Sequence, residues 1–70
     1  MEDLRTLRKQ KGLSQKQLGK ILNVTSQAIA NYENGIRKVN IEQVLILSKL
    51  FDVSAEEIIK AQINSHQNDQ

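Results

Sequence analysis

The sequence predicts a small all-α domain built from five helices. Residues that interrupt helices are scarce, because the 70-residue chain contains no proline and only three glycines. Polar residues of the kind that begin helices recur along the chain, each followed by apolar residues at helical spacing. Hydrophobic residues make up 39% of the chain and charged residues 26%, which is ordinary for a globular domain rather than for a disordered one.

The first two helices are predicted from their ends. Residues 2–11 begin with acidic side chains and finish with basic ones, in the order that the helix dipole favours, and Gly12 then ends the helix. Ser14 and Gln17 have the spacing of a capping box, so we expect the second helix to start there. Asn23, a residue that tolerates the left-handed conformation, is predicted to end it.

The third and fourth helices are also predicted from the residues at their ends. Thr25 is predicted to cap the third helix, which the pair Asn34-Gly35 terminates. Asn40 with Gln43 forms a second capping box and opens the fourth helix. That helix is apolar on nearly all sides, which predicts that it is the central buried helix of the domain.

The fifth helix is predicted to be short and to begin at Ser54. It carries more isoleucine than a short terminal helix should expose, so we expect one or two of these residues to cover the core and the remainder to form a two-fold dimer contact. The three isoleucines are Ile58, Ile59 and Ile63. The globular domain is predicted over residues 1–62, and the polar segment 63–70 is predicted to be a disordered tail.

Composition excludes several classes of protein. The chain has no cysteine, which removes disulfide scaffolds, zinc fingers and thiol chemistry. No nucleophile–base pair is evident and the carboxylates lie at helix starts, so neither an enzyme nor a cofactor or metal site is expected. The longest apolar run is residues 44–47, and the N-terminus does not resemble a signal peptide. We therefore predict a cytoplasmic protein without a membrane span.

Charge is divided unevenly along the chain. Residues 1–40 contain eight basic and three acidic side chains, whereas residues 41–70 contain two basic and five acidic ones. The net charge of +2 therefore conceals a basic half and an acidic half. A basic half indicates a polyanionic partner, although chance patterning on solvated helix faces would give a similar distribution.

The second and third helices are separated only by Asn23 and Val24, which predicts the steep crossing of a helix-turn-helix. With Ile29 facing the core, the amides of Gln27 and Asn31 lie about 160° and 200° from it, on the outer face of the third helix. An amide both donates and accepts, as recognition of adenine in the major groove requires. The same face is also compatible with an ordinary solvated surface.

These motifs resemble a known family. The sequences LSQKQLG (13–19), VTSQAI (24–29) and YENG (32–35), followed by LSKLFDVS (47–54) and EII (57–59), are similar to the Cro/CI-type, or XRE-family, helix-turn-helix regulators of phages and bacteria. The resemblance covers residues 4–59. It implies a compact five-helix lambda-repressor-like domain that binds a palindromic double-stranded DNA operator as a dimer and acts as a transcriptional repressor.

The resemblance also implies roles for individual residues. The third helix would read bases, with Ala28 as a further neighbour of a thymine methyl group; the base-reading residues would be Ser26, Gln27, Ala30 and Asn31. Phosphate contacts would come from the ends of the motif and from the following loop, and we expect them from Arg8, Gln15, Lys16, Thr25, Asn34, Arg37 and Lys38. Arg8 and Glu33 match a pair that forms a salt bridge beside the DNA in phage repressors.

Two residues depart from the family pattern, and one alternative function stays open. Gly19 stands where the family usually has alanine, and Val39 where it often has proline. Small members of the family also serve as antitoxins or as protein-interaction modules, so a protein partner is the alternative interpretation. A partner-binding segment would discriminate between the two, and residues 60–70 are the free segment in which to seek one.

Overall fold

The computed structural model describes residues 2–67, with side chains through residue 65, and it confirms the all-α class. Five α-helices and no strands occupy this range. Their bounds are α1 Leu4–Gln10, α2 Gln15–Leu22, α3 Ser26–Glu33, α4 Ile41–Phe51 and α5 Ala55–Gln67. None of the described helices has the length and apolar character that crossing a membrane requires.

Helix starts agree with the sequence signals except in α1. The predicted capping side chains accept backbone N–H groups at the start of their helices, and they are Ser14, Thr25, Asn40 and Ser54. The first helix begins later than predicted, because Asp3 is itself the cap and its carboxylate accepts the N–H of Thr6 at 2.9 Å. Asn23 ends α2 in the left-handed conformation, with φ of 60°.

One hydrophobic core is shared by all five helices. Its least exposed apolar side chains come from α3, α4 and α5, and they are Ile29, Leu47 and Ile58. Ile58 is the isoleucine of α5 that covers the core, as expected for one or two of the three, and its burial removes it from the candidate dimer contact. Ile59 and Ile63, in contrast, remain about half exposed, at 51% and 49%.

A buried polar network connects α4 and α5 to the end of α3 and to the loop that follows it. The Gln62 side chain donates from Nε2 to the carbonyl of Tyr32 at 3.0 Å and accepts the N–H of Val39 at 2.8 Å. Gln43 in α4 donates to the Tyr32 hydroxyl at 3.0 Å. The end of α3 and the loop that follows it are thereby held against α4 and α5.

The fifth helix is longer than predicted. It continues to Gln67, so residues 63–67 are helical rather than part of a disordered tail, and residues 68–70 lie outside the described part of the chain. Ser65 explains the extension: its buried hydroxyl accepts the N–H of Leu4 and donates to the carbonyl of Ala61 at 3.0 Å. Ser65 therefore ties this part of α5 to the start of α1.

Candidate nucleic-acid interface

The turn between α2 and α3 is closed by backbone contacts. The N–H of Val24 donates to the carbonyl of Gly19 at 2.8 Å, and the Thr25 hydroxyl caps α3. A Cβ placed on Gly19 would lie 2.7 Å from the carbonyl oxygen of Val24. Glycine at this position therefore allows α2 to pack closely against the backbone of the turn, at the cost of about 1 kcal/mol of helix propensity relative to alanine.

The outer face of α3 presents the predicted amides. Ser26 and Gln27 are exposed, and Ala30 and Asn31 are partly exposed. Gln27 donates from Nε2 to Oδ1 of Asn31 at 3.3 Å, so the two amides orient each other. Ala28 is only 8% exposed and packs in the core, which makes the suggested contact with a thymine methyl wrong for this residue.

The carboxylate of Glu33, the last residue of α3, holds three elements together. Its side chain is 1% exposed and accepts Nε of Arg8 at 2.5 Å on one oxygen. The other oxygen accepts Nη2 of Arg8 at 3.3 Å, Nε2 of Gln15 at 3.1 Å and Nε of Arg5 at 3.3 Å. We call these four residues the Glu33 cluster; they connect α1, the start of α2 and the end of α3.

Arg8 does not have the exposure that its expected phosphate contact requires. Its side chain is 9% exposed, and its guanidinium donates to both Glu33 oxygens and to the carbonyl of Leu13 at 2.8 Å. The predicted Arg8–Glu33 ion pair is thus present but buried. Arg8 neutralises an internal carboxylate rather than presenting its charge at the surface, which corrects the phosphate-contact assignment.

The Glu33 cluster sets the pKa of its central carboxylate. Burial disfavours the charged form, but hydrogen bonds from Arg8 and Gln15, the positive charge of Arg8 and a hydrogen bond from Arg5 outweigh this effect. The net result is a pKa of Glu33 below its ordinary value. Glu33 is therefore ionised at neutral pH and remains so in mild acid.

The other predicted phosphate-contacting residues lie at both ends of the α2–α3 unit. Five of them are exposed: Lys16, Thr25, Asn34, Arg37 and Lys38. Gln15 is partly exposed and is held by Glu33. Arg37 is exposed and its guanidinium carbon lies 5.9 Å from the centroid of the Tyr32 ring, within cation–π range. Contacts within the protein thus restrain Gln15 and Arg37.

Arg5 belongs to this surface although the sequence analysis did not select it. It donates to Glu33 and, through Nη2, to Oδ1 of Asn34 at 3.1 Å, and its side chain is 47% exposed. The available sequence signal was the three-residue spacing of Arg5 and Arg8, which places both on one side of α1. Spacing alone does not show which of the two is buried.

The fold and the α2–α3 geometry define a helix-turn-helix protein. A family model described as helix-turn-helix matches residues 4–58, which is most of the chain. The chain therefore belongs to the XRE family of helix-turn-helix transcriptional regulators, as the sequence motifs predicted. No solved structure shows a significant match.

Three curated relatives carry regulator names. The chain is 33% identical over 63 residues to the uncharacterized HTH-type transcriptional regulator YqaE of Bacillus subtilis, covering 90% of this chain and 54% of the relative. It is 36% identical over 61 residues to the HTH-type transcriptional activator BcrR of Enterococcus faecalis, covering 87% and 30%. It is 30% identical over 59 residues to the HTH-type transcriptional regulator AnsR of Bacillus subtilis, covering 84% and 51%. The chain thus spans about half, or less, of these relatives.

Glu33→Gln should destabilise the domain and remove a part of its acid sensitivity. The substitution leaves Arg8 as a buried cation without a countercharge, which costs about 3–5 kcal/mol of unfolding free energy. Because the pKa of Glu33 is lowered in the folded state, its contribution is complete above the unfolded value of about 4.3 and is lost as the pH falls through the folded value. Urea unfolding at neutral pH and in acid measures both effects.

Glu42→Gln is the matched control, because Glu42 is an exposed carboxylate in the first turn of α4. It should leave stability within about 0.5 kcal/mol of the wild type. Equal stability losses in the two variants, or an acid transition of Glu33→Gln identical to that of the wild type, would contradict the role assigned to Glu33.

Proposed function

We propose that this domain is a sequence-specific double-stranded DNA-binding regulator in which the outer face of α3 reads bases in the major groove. The observation that carries the proposal is the hydrogen-bonded amide pair of the exposed Gln27 and the partly exposed Asn31 on the second helix of the helix-turn-helix. Ser26 and Ala30 flank this pair. A helix of this kind enters the major groove, where each base pair displays its own pattern of donors and acceptors.

The Gln27–Asn31 hydrogen bond determines which groups face a base. Gln27 uses one N–H of Nε2 on Asn31, which leaves its Oε1 as an acceptor and its second N–H as a donor. Asn31 retains both N–H donors of Nδ2. Together they offer a donor and an acceptor side by side, which is the complement of N7 and N6 of adenine.

Phosphate contacts would orient this reading helix. Gln15, Lys16 and Thr25 lie at the amino-terminal side of the motif, and Asn34, Arg37 and Lys38 follow its carboxyl-terminal side. Contacts at both ends would fix the angle and depth of α3 in the groove. Restraint of Gln15 by Glu33 and of Arg37 by Tyr32 supports this arrangement, since prepositioned groups lose less conformational freedom on binding.

A second copy of the chain is the proposed partner on DNA. Ile59 and Ile63 flank a largely apolar groove of about 270 Å³ that is also lined by Lys38, Val39, Val44 and Gln62. This groove adjoins the loop that carries the proposed phosphate contact Lys38. A palindromic operator requires the two reading helices of a dimer to lie about 34 Å apart, and we propose two-fold pairing through this groove to meet that requirement. A dimer bound at a promoter would exclude RNA polymerase and thereby repress transcription. We place this action in the cytoplasm.

Gln27→Ala and Lys38→Ala should have different effects on sequence discrimination. Loss of the Gln27 amide should cost about 1–3 kcal/mol of binding free energy on a selected operator and relax one base position, with little effect on random DNA. Loss of the Lys38 charge should weaken both duplexes alike and lower the salt dependence, the slope of log K against log salt, by about 1. Fluorescence anisotropy at several salt concentrations measures both.

Gln10→Ala and Lys49→Ala are matched controls for these two variants, because both residues are exposed and lie on α1 and α4, outside the proposed surface. Each should bind like the wild type. If Gln27→Ala and Lys38→Ala weakened operator and random DNA by the same factors, the proposed separation of base reading from phosphate binding would be wrong.

Ile63→Glu should disrupt pairing while preserving the fold. Burying the new carboxylate against a second copy of the chain would be costly, so the dimer should be destabilised. Affinity for a palindromic duplex should therefore fall towards that for a single half-site. Affinity for the half-site itself should not change. Titration of both duplexes, with stoichiometry from sedimentation, measures the effect. Ile41→Glu, at a residue 80% exposed and not part of the groove, is the control. Palindrome binding unchanged in Ile63→Glu would contradict this interface.

A further inference from the structure

The carboxyl-terminal end of α3 presents an electrostatic difficulty for phosphate binding. A helix carboxyl terminus bears a negative partial charge, and α3 adds the carboxylate of Glu33. All residues of α3 lie in the described part of the chain, and none in its last turn is basic. Asn34, which follows directly and is a proposed phosphate contact, therefore lies where the helix itself repels an anion.

Two arginines from α1 reverse this local charge. Arg8 is buried and neutralises Glu33 through two hydrogen bonds. Arg5 adds a second positive charge to the same carboxylate, so Arg5, Arg8 and Glu33 together carry a formal charge of +1. Because Arg8 is 9% exposed and Arg5 47% exposed, this excess charge lies at the surface on Arg5.

The hydrogen bonds of Arg5 also decide how Asn34 is presented. Nη2 of Arg5 donates to Oδ1 of Asn34 at 3.1 Å, which occupies the acceptor of that amide and leaves its Nδ2 donors available. The guanidinium of Arg5 uses Nε and Nη2 in its two contacts, so Nη1 has no acceptor among the described residues. A phosphate oxygen only accepts hydrogen bonds, so both side chains present the groups that it needs.

We propose that Arg5 is a DNA-contacting residue that, with Asn34, binds one backbone phosphate at the carboxyl-terminal end of the reading helix. Glu33 acts as the positioning residue, because it holds Nε of Arg5 at 3.3 Å while Arg8 cancels its charge. This inference rests on the proposed function and adds to it the group that makes phosphate binding favourable at this end of α3. A purely structural surface ion pair is the alternative, and such pairs add little to stability.

Arg5→Ala tests the proposal on random-sequence duplex DNA, because a phosphate contact does not depend on base sequence. Affinity should fall about tenfold, as expected for loss of a charge-assisted hydrogen bond. The slope of log K against log salt should decrease by about 0.9, the value for one phosphate. Thermal unfolding should remain close to that of the wild type, because the lost pair is half exposed.

Lys49→Ala is the charge-matched control and should keep the affinity and salt slope of the wild type. Wild-type affinity and slope in Arg5→Ala would overturn the proposal while leaving the proposed function intact. A wild-type chain that bound no duplex would overturn the proposed function itself. The two failures are therefore distinguishable in one experiment.

A double-mutant cycle with Asn34→Ala tests whether the two residues share one phosphate. If they do, the fold-loss of DNA affinity in Arg5→Ala/Asn34→Ala should be smaller than the product of the fold-losses in the two single variants. The reason is that the first substitution already weakens the contact with the phosphate on which the second acts. Single losses that simply multiply would overturn the shared site.

Discussion

Burial of the Glu33 carboxylate is the constraint on which the rest of this surface depends. A buried carboxylate is tolerated only when it is paired and hydrogen-bonded, and here four N–H groups from Arg5, Arg8 and Gln15 surround it. Those donors come from α1 and from the start of α2, whereas Glu33 ends α3. One carboxylate thereby fixes the relative positions of three helices, and it does so beside the proposed DNA-binding face.

This arrangement divides the polar groups according to exposure. Arg8 compensates the internal charge, and Gln15 and Arg5 extend from the same carboxylate towards solvent. At the other side of α3, Gln62 and Gln43 hold Tyr32, and Arg37 lies over its ring. Helix α3 is thus restrained at its carboxyl-terminal end by side chains from every other helix. Such restraint favours recognition by a preformed surface rather than by one that orders on contact.

Local features of the fold could be predicted from the sequence, and those that depend on tertiary packing could not. The caps Ser14, Thr25 and Asn40 and the left-handed Asn23 were predicted correctly, because each depends on neighbours within four residues. Burial of Arg8 and extension of α5 through Ser65 depend on contacts across the chain, so residue type alone misled; it also could not say which isoleucine of α5 is buried. Helical phase correctly placed Gln27 on the exposed face of α3, whereas it could not show which of Arg5 and Arg8 is buried.

The central claim is that the α2–α3 surface recognises a particular DNA sequence. The most direct measurement is a titration of the chain with fluorescent random duplex and with duplexes selected from a random pool, at several salt concentrations. The account predicts a selected palindrome that binds at least about 1,000-fold more tightly than random DNA, with a steep decrease in affinity as salt rises. Weak, salt-sensitive binding without any enriched sequence would contradict it and would indicate that the helix-turn-helix serves a protein partner.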